Sequence, residues 1–77
     1  MEQRDYIVTG PLCWGRGKTE DAARAFARKA CPFRNARRKG SKLWHEHIYT
    51  VPTGQVVTYW ENGSVTGKDV VLVKNCR

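Results

Sequence analysis

The sequence predicts an α+β domain in the order β-α-β-β-β, with one helix packed on one face of a four-stranded, mainly antiparallel sheet. Three observations carry this reading. "DYIVTG" opens the chain with a β-rich run, "TEDAARAFARKA" repeats small apolar residues at helical spacing, and three runs rich in β-branched and aromatic residues follow, separated by turn formers. Seventy-seven residues suit one small domain, 1–77, near the size at which a single core is only marginally sufficient.

The first strand, Tyr6-Ile7-Val8, is stopped by Gly10-Pro11, and the stretch from there to Lys18 reads as a connection that crosses to the helix. Thr19 suits an N-cap, and Glu20 and Asp21 put negative charge where the helix dipole favours it. Ala22, Ala23, Phe26, Ala27 and Ala30 share one side, so a helix from about 20 to 31 is expected to lie close to a sheet, with Phe26 as its one large anchor. Pro32 ends it, and residues 32–42 read as a basic loop. "KLWHEHIYTV" and "QVVTYW" are the next two strands, joined at Pro52-Thr53-Gly54. Asn62-Gly63 is the strongest hairpin signal, and "SVTGKDVVLVKN" returns as the last strand, with Gly67 marking a bulge or break. Short turns make these last three strands antiparallel neighbours, and a right-handed crossover would bring the first strand beside one of them.

Gly15-Arg16-Gly17-Lys18-Thr19 resembles a phosphate-binding loop only in its letters. Four residues must separate the first glycine from Gly-Lys-Thr, and that position is Leu12; Pro11 and Trp14 also remove a donor and add bulk. Cys13, Cys31 and Cys76 are odd in number and far apart, a poor basis for a disulfide framework, so reduced thiols are expected. With His45 and His47 they show no zinc-ligand spacing, and neither metal nor cofactor is expected. Glu46 points away from the two histidines on a strand, and no nucleophile is tied to them, so no catalytic residues and no enzyme activity are expected. Without a long apolar run or a charged-then-apolar N-terminal segment, the sequence reads as cytoplasmic, with no membrane partner.

The net charge of +7 is confined to one segment. Arg24, Arg28, Lys29, Arg34, Arg37, Arg38, Lys39 and Lys42 face only Asp21 within residues 21–42, and the flanking segments are neutral. Such a localised field attracts polyanions or an acidic protein face, so these eight residues are the expected site for a nucleic acid or a partner. Alternation along the later strands puts apolar side chains on both faces of the sheet. One helix covers one face only, so the other is expected to stay open, offering Trp44, Tyr49, Tyr59 and Trp60 for stacking, for docking, or for a homodimer.

In size, element order and texture, through "DYIVTG", "TEDAARAFARKA" and "GQVVTYWENGSV", the chain resembles small accessory proteins of bacteriophages. Among these it is most similar to anti-CRISPR proteins that act on multi-subunit surveillance complexes. That resemblance implies a non-enzymatic inhibitor in the cytoplasm of a bacterial host. The cations at 24–42 would then grip guide RNA, target DNA or an acidic subunit groove. Many such proteins are acidic and resemble DNA in charge; this chain departs from that pattern, which argues against DNA mimicry. The alternative is a phage protein that binds duplex DNA or RNA directly through the same basic surface.

Overall fold

In the computed structural model, which describes residues 3–38 and 40–74, the antiparallel partner of the first strand is the glycine-rich stretch itself. β1 (Arg4–Gly10) turns through Pro11 and Leu12 into β2 (Cys13–Gly17). Leu12 takes the left-handed conformation (φ 53°) that a proline-led two-residue turn asks of its second position. The expected connection is therefore a hairpin strand. "CWGRG" has little β propensity, and its strand character comes from pairing with β1 in a register from Tyr6 opposite Gly17 to Gly10 opposite Cys13.

α1 (Glu20–Ala30) follows the expected bounds. The Thr19 hydroxyl accepts a hydrogen bond from the Ala22 N–H at 3.1 Å, and Glu20 and Asp21 occupy the first turn. After Cys31 and Pro32 comes a four-residue turn of helix, α2 (Arg34–Arg37), inside the expected basic loop. β3 (His47–Pro52) pairs with β1, antiparallel rather than through a parallel crossover. β4 (Thr58–Tyr59) and β5 (Val65–Thr66) form a separate two-stranded sheet. β6 (Val71–Lys74) returns to β3, completing a four-stranded antiparallel sheet in the order β2-β1-β3-β6 with one main helix packed against it. The hairpin signal holds: Gly63 turns with φ 88°, and Asn62 Oδ1 accepts from the Ser64 N–H at 3.0 Å. Gly67 marks a break, dividing the expected last strand into β5 and β6.

The helix packs on the face that carries Val8 and Ile48, with Ala23 and Ala27 fully buried between. Gly15 and Gly17 of β2 set the distance. A Cβ on Gly15 would run into the backbone of Ala23 and Ala27 and come within 2.8 Å of Phe26 Cβ. At so close an approach no aromatic ring fits beneath the helix, and Phe26, the expected anchor, turns outward and is 56% exposed. Its place is taken by alanine-on-glycine contact.

The opposite face is covered as well, which corrects the expectation of an open aromatic surface. Ile7, Tyr49 and Val51 are buried there beneath Val65, with Val57, Tyr59 and Val70 packed around them. Because β4 and β5 leave the main sheet, they are free to fold back over it. The Thr9 hydroxyl donates to the Gly63 carbonyl at 2.8 Å, and Trp14 stacks on Tyr59 with ring centroids 4.9 Å apart, fastening this small sheet to β1 and β2. Arg16 adds a clamp: its guanidinium donates to Asp5 at 2.9 Å and to the carbonyls of Gln55 and Pro52. Burial pushes the Asp5 carboxyl up, but hydrogen bonds from Arg16 and Thr53, with Lys18 nearby, outweigh it and hold the group below its ordinary value.

Cys13 and Cys31, eighteen positions apart in sequence, meet in a third buried cluster with Ala36, under Trp44. Cys76 lies outside the described residues. Burial, and then the neighbouring Cys31 thiol, push the Cys13 thiol well above the ordinary thiol range, so almost no thiolate is present near neutrality. Alkylation at pH 8 is therefore expected to reach Cys13 and Cys31 only at the rate at which the domain unfolds, as peptide mass spectrometry would follow. Rapid labelling of either in the native state would show that this cluster is open to water.

Candidate functional site

Of the eight cations singled out by their position in sequence, the seven among the described residues differ in their surroundings. Arg24 is committed to the fold. It projects from the first half of α1 between Glu20 (2.6 Å), Asp21 (3.1 Å) and Glu46 (2.7 Å), and its Nε also donates to Glu46 at 2.9 Å. Trp44 Nε1 donates to the same carboxylate at 2.7 Å. Glu46 and then Glu20 raise the Arg24 pKa further still, while the guanidinium, despite burial, and the Trp44 donor hold Glu46 below its ordinary value. With three carboxylates on one guanidinium, Arg24 has no charge left for a phosphate.

The Arg28 guanidinium lies 5.0 Å from the centroid of the Trp44 ring, a cation–π contact that fixes its direction while leaving the group partly exposed. Lys29, Arg34, Arg37, Arg38 and Lys42 are the remaining five. All five are exposed, and none forms an ion pair or side-chain hydrogen bond with another described residue. Lys39 lies outside the described residues.

Local structure gathers the arginines. Pro32 ends α1, Phe33 starts α2, and one turn of helix sets Arg34 and Arg37 three positions apart, hence on one side. Arg28 and Lys29, in the last turn of α1, complete a shallow open depression with Arg34, Asn35, Arg37 and Arg38. Among the described residues no acidic side chain lines it. Its chemistry is that of several guanidinium forks and an ammonium facing solvent, suited to the oxygens of phosphates or carboxylates.

The four aromatic residues expected on an open sheet face are not one surface. Tyr49 is buried with its hydroxyl directed to the Gly63 carbonyl, 3.3 Å away. Trp44 is half-buried under Arg28 and beside the cysteines, and Tyr59 is half-buried in its stack on Trp14. Only Trp60, 52% exposed, remains accessible, and its indole N–H donates to Thr66. These four side chains therefore offer no common surface to the homodimer expected through them.

His45 and His47 line a cleft with Glu61 and Asn62 beside the β1–β2 turn, and Glu46 points to the opposite side, toward Arg24. Among the described residues no three His, Cys, Asp or Glu side chains gather in a way that could hold a metal ion, and no helix is long and apolar enough to cross a membrane.

Comparison with known proteins adds no relative: no protein-family model, curated protein or solved structure matches the chain.

One part of the surface escapes a reading by charge. Phe33 (46% exposed) and Leu43 (60% exposed) flank α2, with Pro11 and Pro32 alongside. A signal was present in "CPFRNARRKG", where an aromatic residue interrupts a basic run that has no apolar periodicity. An apolar side chain in such a setting has no sheet or helix face to join.

Proposed function

We propose that this protein is a non-enzymatic binding protein that seats a nucleic-acid backbone on the surface formed by the end of α1, α2 and Lys42. The observation that carries this reading is the set of five exposed cations, Lys29, Arg34, Arg37, Arg38 and Lys42, with no acidic partner among the described residues. Holding the like charges of Lys29, Arg34, Arg37 and Arg38 around one depression without compensation costs stability through self-repulsion, and a bound polyanion removes that cost. The resemblance to anti-CRISPR proteins supplies the setting: the anion is then the guide RNA or target DNA of a CRISPR surveillance complex, which the bound protein blocks or misdirects. A phage protein acting directly on free nucleic acid would use the same surface.

Anisotropy titrations with labelled duplexes test the reading. Five phosphate contacts give a slope of log K on log salt of about −4.5, from about −0.9 per contact. Replacing Arg34, Arg37 and Arg38 together by alanine is expected to shrink that slope to about −1.8 and to weaken binding at low salt at least tenfold (~1.4 kcal/mol). Since all three side chains are exposed and their mutual repulsion is relieved, the thermal transition should not fall. Unchanged affinity in this variant, or an affinity indifferent to salt, would remove the basic surface as the site. Repeating the titration with a purified surveillance complex separates the settings: binding gained only with the complex assigns the inhibitor, and equal binding without it assigns the direct binder.

A further inference from the structure

We infer that the nucleic acid is a single strand, with its phosphates along the arginines and one unstacked base in the apolar notch beside them. This rests on the function proposed above and narrows it. The notch is formed by Pro11, Pro32, Phe33, Ala36 and Leu43, and it adjoins the basic depression: Arg34 and Asn35 line both. A ligand that fills the two together must present anionic and apolar groups side by side. Duplex nucleic acid does not, since its base faces are covered by their neighbours; a single strand carries a phosphate and an open base face in every nucleotide.

The notch has the chemistry of a stacking site. Phe33, a residue 46% exposed, supplies an aromatic side chain, and Arg34 next to it supplies a planar cation that can both hold a phosphate and lie on a base. Asn35 brings an amide donor and acceptor to the same edge, the pair of functions that base edges match.

The backbone beneath the ring is fixed. The Phe33 carbonyl accepts from the N–H groups of Ala36 and Arg37, each at 3.1 Å, and from the Cys31 thiol at 3.6 Å. The aromatic platform is thus held by main-chain contacts, and removing the ring leaves them in place. A lipid surface fits less well, because a helix of four residues has no amphipathic stripe to lay in a membrane interface.

The test compares three labelled probes at one salt concentration: a mixed-sequence single strand, a strand of the same length with abasic sites throughout, and the duplex. The intact strand is expected to bind about tenfold more tightly than the abasic strand, the size of one base stacked on an aromatic side chain. Phe33→Ala should erase most of that difference while leaving the salt slope unchanged, and Phe33→Trp should restore it. Circular dichroism of each variant confirms the fold before affinity is compared. Equal binding of intact and abasic strands, or wild-type behaviour of Phe33→Ala, overturns the inference. Tight, salt-dependent binding of the duplex alone overturns it too, and leaves the basic surface standing. Failure of all three probes to bind, including the case in which binding requires a surveillance complex, overturns the single-strand site, and with no complex-dependent binding either, the nucleic-acid reading as well.

Discussion

Gly15→Ala is expected to cost the domain about 3 kcal/mol, the upper part of the range for forcing extra volume into a packed interior. The added methyl would meet the backbone of Ala23 and Ala27 on the neighbouring helix rather than the end of a side chain that could swing aside. Relief requires moving α1 away from the sheet as a body. That movement opens the contact between Ala23, Ala27, Val8 and Ile48, all almost fully buried, and leaves gaps that small side chains cannot fill. For a chain of 77 residues, 3 kcal/mol is a large share of a stability of roughly 4–12 kcal/mol. Urea unfolding of the variant measures it. Gly54→Ala is the control: φ there is 85°, but a Cβ would have nothing within 4 Å, so only backbone strain of about 1 kcal/mol is expected. Equal losses in the two variants would mean that α1 has slack above β2.

The same contact explains which parts of the fold were legible beforehand. α1, its Thr19 cap and the Asn62-Gly63 turn are written in neighbouring residues, and local geometry suffices to read them. β2 is not written that way. Gly15 and Gly17 lower the β propensity of "CWGRG" for the same reason that they admit the helix, so the feature that positions α1 hides the strand beneath it. Alternation puts apolar side chains on both faces of the later strands, and on β3 Tyr49 and Val51 are buried on one face and Ile48 on the other. What covers Tyr49 and Val51 depends on β4 and β5 leaving the sheet, and period-two patterning is blind to which sheet a strand joins.

A similar division runs through the site. Exposure of Lys29, Arg34, Arg37, Arg38 and Lys42 follows from charge density alone, because so many cations cannot be buried together. The role of Arg24 could not be read from its segment. Its main partner, Glu46, is 22 positions away and belongs to a stretch that sequence reading set aside with the histidines.

Arg24→Met is therefore expected to act on stability, by about 3 kcal/mol at pH 7, and not on binding. Glu46 has a side chain only 10% exposed, and without the guanidinium it keeps a single strong donor, Trp44 Nε1. Removing one partner of a buried pair leaves the other charge to bear its desolvation alone. The pH dependence tests that cause. In the native protein the Glu46 carboxyl is held below its ordinary value near 4.5, so its contribution is complete above that pH and is lost as pH falls through the depressed folded value. In the variant the guanidinium is gone and burial is countered only by the Trp44 N–H and the field of Lys74, so the folded value rises from its depressed position, and the carboxylate loses at neutral pH a stabilisation that no longer matters once it is protonated. The deficit of Arg24→Met is thus largest at pH 7 and narrows below about pH 4.5, whereas the contribution of Asp5 is common to both proteins and cancels. A deficit that does not change between pH 7 and pH 3.5 would assign Arg24 to packing alone. Measured on folded protein, the variant should bind nucleic acid with the salt slope of the native chain, since a guanidinium held by three carboxylates releases no counterion from a phosphate. A slope reduced by about one would return Arg24 to the binding surface.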